Sequence, residues 1–197
     1  MSNELAGRRI AFLVANEGVE RVELTSPWQA VTDAGGDPVL LAPEKEPVQT
    51  VNDAEPADAF DPHQAVGDVL ADDFAALVLP GGVANPDKLR LVPEAIAFVR
   101  AVAAAGKPIA AICHGPWTLI DAGVVAGKSL TSWPSLRADI SNAGGDWHDQ
   151  PVLTCSARGF DLVTSRNPGD LGAFNAALVA VFARRGAAAW RDPQEAN

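Results

Sequence analysis

KPIAAICHGPWT, from Lys107 to Thr118, is the stretch whose reading decides the fold. Pro108–Ile112 is an apolar run of strand length, and it stops at Cys113-His114-Gly115-Pro116. Pro116, with its φ fixed and no N–H to lose, suits the first turn of a helix. The order is therefore strand, sharp turn, helix. In an α/β sheet such a turn lies at the carboxyl end of a strand, where these folds place their sites, and the helix that follows aims its unsatisfied N–H groups back at it. That location favours the thiolate of a cysteine, which is the form that reacts. A free cysteine taken alone is more often a small buried hydrophobe. The adjoining His-Gly-Pro is what marks Cys113 as a candidate nucleophile.

Outward from this elbow, strands and helices alternate. Upstream, Arg8–Ala15 is a continuous apolar run of the kind buried on both faces of a parallel sheet. After a turn at Asn16-Glu17-Gly18, a helix is expected from Val19 or Glu20 to Ala34, kinked at Pro27 and stopped by Gly35-Gly36. Pro38–Ala42 supplies the next strand. Residues 43–75 interrupt the rhythm, and Val48–Asn52 with Gln64–Val66 read as a hairpin around the Pro- and Asp-rich DAEPADAFDP. Ala75–Leu79 is another buried strand, ending in Pro80-Gly81-Gly82, where the glycine pair can present bare N–H groups at the edge of the sheet. Asn85-Pro86-Asp87 reads as a helix start with Asn85 as its cap, and Val92–Ala105 as the helix that feeds the elbow strand. Downstream the pattern gives a helix at Pro116–Ala122, a strand at Ser129–Trp133 and a helix at Ser135–Ala143. A hairpin of Val152–Ser156 with Phe160–Ser165 follows, and the last helix spans roughly 169–185. The alternation implies a mainly parallel sheet covered by helices on both faces. One domain is expected over residues 1–197, with 187–197 as a loose tail.

Composition excludes several classes. With 15 Lys and Arg against 25 Asp and Glu, the formal net charge is −10, and no basic stripe interrupts it. Nucleic acid and anionic membrane surfaces are poor partners for such a surface. The apolar run Ile10–Ala15 is too short for a membrane span or the core of a signal peptide, and the two cysteines show neither metal-ligand nor redox-pair spacing. A cytoplasmic protein is expected. His63 and His148 form no constellation with acids at ligand spacing, so no metal and no cofactor is assigned.

Five blocks in this order resemble the ThiJ/PfpI superfamily, which includes the parkinsonism-linked protein deglycase and the PfpI-type intracellular proteases. They are AFLVANEGVERVEL, LVLPGGVANPDKLR, GKPIAAICHGPWTLIDAGV, LTSWPSLRADISNAGGDW and LVTSRNPGDL. His114 directly after the cysteine, and the NPDKLR segment, place the closer resemblance with the PfpI-like branch. The resemblance implies a flavodoxin-like three-layer sandwich and a nucleophile at Cys113. It also implies a glutamate from the first helix against the sulfur, at Glu23, with Glu20 one helical turn earlier. A protonated carboxylic acid there can donate a hydrogen bond to a thiolate. As a base, His114 would need its ring within reach of Cys113, although adjacent residues on a turn usually point apart. In the PfpI-like pattern an acid from a neighbouring subunit orients this histidine. Here that acid falls on Asp87, one methylene shorter than the usual glutamate, and homodimers or larger assemblies are implied. Gly81, Gly82 and the main-chain N–H of His114 are the expected oxyanion donors. Trp133, where the pattern has a tyrosine, is expected to line the pocket, and Cys155 to be structural.

Two functions from different classes follow. One is a stress-protective cysteine hydrolase, acting on small carbonyl compounds and glycated or damaged proteins, or on peptides. Peptide hydrolysis needs a base that protonates the leaving amine and so depends on the His114–Asp87 pair, which ranks carbonyl chemistry first. The other is a redox sensor or holdase whose cysteine is oxidised to a sulfenic or sulfinic acid. A glutaminase would need a later His-x-Glu pair, and none occurs.

Overall fold

The computed structural model describes residues 3–186, so the tail expected at 187–197 lies outside the described residues. Its elements are β1 (Arg9–Leu13), β2 (Glu17–Glu20), α1 (Arg21–Asp33), β3 (Asp37–Ala42), β4 (Val48–Asn52), β5 (Glu55–Phe60) and β6 (Gln64–Ala65). There follow β7 (Ala76–Leu79), α2 (Ala84–Leu89), α3 (Pro93–Ala104), β8 (Ile109–Ile112), α4 (Pro116–Asp121), β9 (Ser129–Leu130) and α5 (Arg137–Asn142). The chain closes with β10 (Asp146–Trp147), β11 (Val152–Cys155), β12 (Leu162–Ser165) and α6 (Leu171–Gly186).

The central sheet has the order β11-β12-β8-β7-β1-β3-β6, and only the edge strand β11 runs antiparallel to its neighbour. Because side chains alternate across a strand, each buried strand feeds two cores. Ile10 and Phe12 of β1, Val78 of β7 and Ile112 of β8 pack beneath α1 and α6. Ala11 and Leu13, Leu79 and Ala111 pack on the opposite face, under α3, α4 and α5. The strand order reverses between β1 and β7, and a crevice at the carboxyl ends of such strands is where an α/β sheet accepts a ligand. The chain leaving β1, β7 and β8 at that edge carries Glu23, Gly81-Gly82 and Cys113.

Three local expectations are corrected. The first helix begins at Arg21; residues 17–20 instead form β2, which pairs in parallel with β4. The acidic stretch expected as a loop is itself a strand, since β5 closes the hairpin with β4 through Asp53 (φ 55°), while Gln64 and Ala65 pair in parallel beside β3 at the edge of the central sheet. Asn52 opposite Glu55 leaves a two-residue turn, which demands positive φ and tolerates Asp. Pro27 lies inside helix α1. The strand expected at 129–133 is only Ser129–Leu130, and the helix after it starts with a tight turn at Pro134–Leu136.

Candidate active site

Cys113 sits at the end of β8 with φ of 60°, a conformation that costs a side chain with a Cβ roughly 1–3 kcal/mol and persists only where neighbours enforce it. They do. The Cys113 N–H donates to the Ser165 carbonyl at 3.0 Å, and its carbonyl accepts from Trp133 N–H at 2.8 Å. Gly115 completes the elbow, because a Cβ there would run into the Leu79 carbonyl and lie 2.9 Å from that of Ile112. The result is a cysteine 7% exposed at the rim of the crevice.

Glu23, in the first turn of α1, is fully buried behind it. Its Oε2 accepts the Gly81 N–H at 3.0 Å. Its other oxygen has no hydrogen-bond partner among the described residues, and Oε2 and the Cys113 Cβ both crowd the place where a Gly81 side chain would stand. Gly81 makes this approach possible, since a Cβ there would strike Glu23 Oε2 and stand 2.7 Å from the Cys113 Cβ. Gly82, at φ 82°, is packed against Gly18 and Glu20 with no room for a side chain.

Where the protons of these two groups reside decides the chemistry. Burial pushes the Glu23 pKa from its ordinary 4.5 up to about 8, against hydrogen bonds from Cys113 and from the Gly81 and Gly82 N–H groups that pull it down. At Cys113, burial and a negative charge on Glu23 both push the thiol up, while the N–H groups of His114 and Gly82 pull it down. The carboxyl is the more deeply buried of the two, so it gains more from being neutral. Once it is neutral, its charge no longer opposes the thiolate and its O–H becomes a donor. Glu20 lies outside the helix, at the end of β2, so the helical-face expectation for it fails. It receives the Asp53 N–H at 3.0 Å, and burial raises its pKa too.

The expectation that adjacent side chains point apart also fails at His114. Its Nδ1 lies 3.2 Å from the Cys113 sulfur and its Nε2 3.4 Å from the Ser135 hydroxyl. The ring stacks on Trp133, with centroids 5.7 Å apart, and meets Trp117 tilted at 5.3 Å. Burial lowers its pKa, which keeps the imidazole neutral. Trp133, 40% exposed, is a rim residue and not a core aromatic. Asp87 stands exposed in the first turn of α2, and the chain does not bring it to His114. Gly81 N–H is taken by Glu23, and the N–H groups of His114 and Gly82 are the ones that favour a charged sulfur. Cys155 is half-buried in β11, where its sulfur accepts the Ser129 N–H.

Two residues at this edge escape a reading of the sequence. Ser135 looked like a helix start and Asn85 like a cap; Asn85 instead lies inside α2, buried and bonded to three backbone groups. Nothing local distinguishes such an asparagine from a cap. Among the described residues no three His, Cys, Asp or Glu side chains stand together as metal ligands. His148 pairs with Asp146, and His63 stacks on Trp28. Among the described residues no helix is long and apolar enough to cross a membrane.

The DJ-1/PfpI family model matches residues 8–181. General stress protein 18 of Bacillus subtilis is 37% identical over 176 residues, covering 89% of this chain and 98% of that protein. Protein/nucleic acid deglycase 2 of Escherichia coli is 38% identical over 168 residues, covering 85% of this chain and 94% of its own length. Among solved structures, a two-domain protein of Anabaena variabilis with DJ-1/ThiJ/PfpI-like and ferritin-like domains superposes with a TM-score of 0.81 at 31% identity. That match covers 96% of this chain but only 52% of the larger protein. The chain belongs to the DJ-1/PfpI family.

Proposed function

We propose that this chain is a stress-protective enzyme that attacks electrophilic carbonyl compounds, including glyoxal-type adducts on thiols and amines, through the Cys113 thiolate. The observation that carries the reading is the fully buried Glu23 carboxyl, held by the Gly81 N–H beside Cys113, where burial pushes its pKa up to about 8. In the first step the Sγ–C bond forms and the carbonyl π pair moves to oxygen. The Gly82 and His114 N–H groups are placed to hold the resulting oxyanion, and Glu23 can supply its proton. The indole of Trp133 covers one side of the entrance. Neutral His114, beside the sulfur, can take and return a proton in the later hydrolytic step.

Peptide hydrolysis ranks second because it asks for an oriented base, and Asp87 does not reach His114 within the chain. Relatives named for deglycase activity and for general stress support the carbonyl reading. A redox role is favoured by one feature: a carboxylic acid whose Oε1 has no nitrogen or oxygen partner could donate to the oxygen of an oxidised sulfur. Self-association belongs to the same reading. Val83 and Leu91 stand exposed on either side of α2, and sedimentation across micromolar concentrations should show at least a dimer.

The deciding experiment follows loss of methylglyoxal and of its N-acetylcysteine hemithioacetal. The wild type is expected to consume both, and Cys113→Ser neither. A serine variant that keeps the wild-type rate would remove Cys113 from the chemistry.

A further inference from the structure

Asn85 is fully buried, yet every polar atom of its side chain is used. Its Oδ1 accepts the Ala15 N–H just past β1, at 2.6 Å. Its Nδ2 donates one hydrogen to the Pro80 carbonyl at 2.9 Å and the other to the Gly81 carbonyl at 3.0 Å. These are consecutive carbonyls, and no peptide bond among the described residues is cis. In a trans peptide the C=O and the following N–H point to opposite sides. Holding the Pro80 carbonyl therefore turns the Gly81 N–H the other way, where it meets Glu23 Oε2 at 3.0 Å. Holding the Gly81 carbonyl, to which the Glu20 N–H also donates at 3.4 Å, turns the Gly82 N–H to the side of the Cys113 sulfur and the Glu23 carboxyl. Glycines supply no side-chain packing that would set these planes, so an outside group must.

We propose that Asn85 is the positioning residue of this site: one side-chain amide, anchored to β1, orients two successive peptides so that one N–H serves the Glu23 carboxyl and the next serves the sulfur and the oxyanion. The inference rests on reading Cys113 as the nucleophile. It assigns to the Pro80-Gly81-Gly82 turn a geometry maintained from behind and not by the substrate. Asn85 touches no reacting atom; it acts through Gly81 and Gly82.

The test reads the pH dependence of Cys113 alkylation by iodoacetamide in wild type, Asn85→Asp, Asn85→Ser and Phe98→Leu. The aspartate keeps the acceptor for Ala15 but loses the two-hydrogen donor; the serine is neutral and keeps one donor. Phe98, on the buried face of α3 and edge-on to Phe74, controls for loss of stability alone. Both Asn85 variants are expected to move the alkylation midpoint up by about one pH unit, with roughly tenfold slower alkylation at pH 7. Phe98→Leu should leave the midpoint in place at a matched loss of Tm. Asn85 variants that behave like Phe98→Leu would overturn the proposal. A variant-free arm keeps it testable if neither folds. In wild type the Asn85 side-chain amide proton resonances should titrate with the alkylation midpoint, and resonances that stay still overturn it. A wild-type Cys113 that reacts only after unfolding would instead refute the nucleophile reading, a distinct result.

Discussion

The Cys113 sulfur and the His114 Nδ1 lie 3.2 Å apart, closer than neighbours on a sharp turn ordinarily come. A neutral imidazole donates from one nitrogen and accepts at the other. What Nε2 meets thus decides what Nδ1 offers the sulfur, and Nε2 meets the Ser135 hydroxyl. With the Ser135 O–H donating to Nε2, the proton of the ring is on Nδ1 and stabilises a thiolate. Ser135→Ala is therefore expected to slow carbonyl turnover about three- to tenfold, the worth of one neutral hydrogen bond. The alkylation midpoint should rise by a few tenths of a pH unit. Stopped-flow alkylation checks this, and an unchanged midpoint would leave His114 unoriented by Ser135.

Glu23→Gln keeps a donor beside the sulfur but removes the group that exchanges a proton with it. Wild-type alkylation against pH should show two steps belonging to the coupled pair, the upper one near the Glu23 value of about 8. The glutamine variant should show one step. Two steps in both proteins would assign the upper one to another group.

Stability against pH reads the same proton independently. Glu23 keeps its proton to about pH 8 in the native state, whereas an ordinary glutamate loses it near 4.5. Its contribution is thus fully present below pH 4.5 and is lost as the pH rises through that window, by at most roughly 1.4 kcal/mol per unit. Cys113→Ser should show this decline in urea midpoints between about pH 6 and 8. In wild type a native thiolate has given up a proton that the unfolded thiol retains to about pH 8.5, so the two cancel and the curve should be flat. A wild type that declines in parallel with the serine variant places no thiolate beside a neutral Glu23.

Gly81→Ala tests the close approach. The added methyl meets both the Glu23 carboxyl and the Cys113 Cβ. The variant should fold with a loss of about 1–3 kcal/mol, the usual cost of overpacking, and lose more than about a hundredfold in carbonyl turnover. Urea unfolding and a steady-state rate separate the two effects. A stable variant with full activity would mean that Glu23 and Cys113 need not lie so near each other.

Much of the architecture is legible in the chain because it depends on neighbours along the chain. Apolar runs such as Ala75–Leu79 and Pro108–Ile112 read as doubly buried strands, and Cys-His-Gly-Pro after the second marks the elbow. The acidic stretch Glu55–Phe60 was misread because its strand pairing is set by β4 and by the turn at Asp53, while its composition resembles a loop. Glu23 could be picked out only through resemblance, since a glutamate in a first helical turn otherwise reads as a solvated charge. That it holds a proton, that Asn85 orients two peptides and that Ser135 faces His114 were decided by tertiary structure alone. The residue types and their order along the chain determine which strands and turns form; desolvation and hydrogen-bond direction arise only when segments distant in sequence close around one another, and these set where the proton resides.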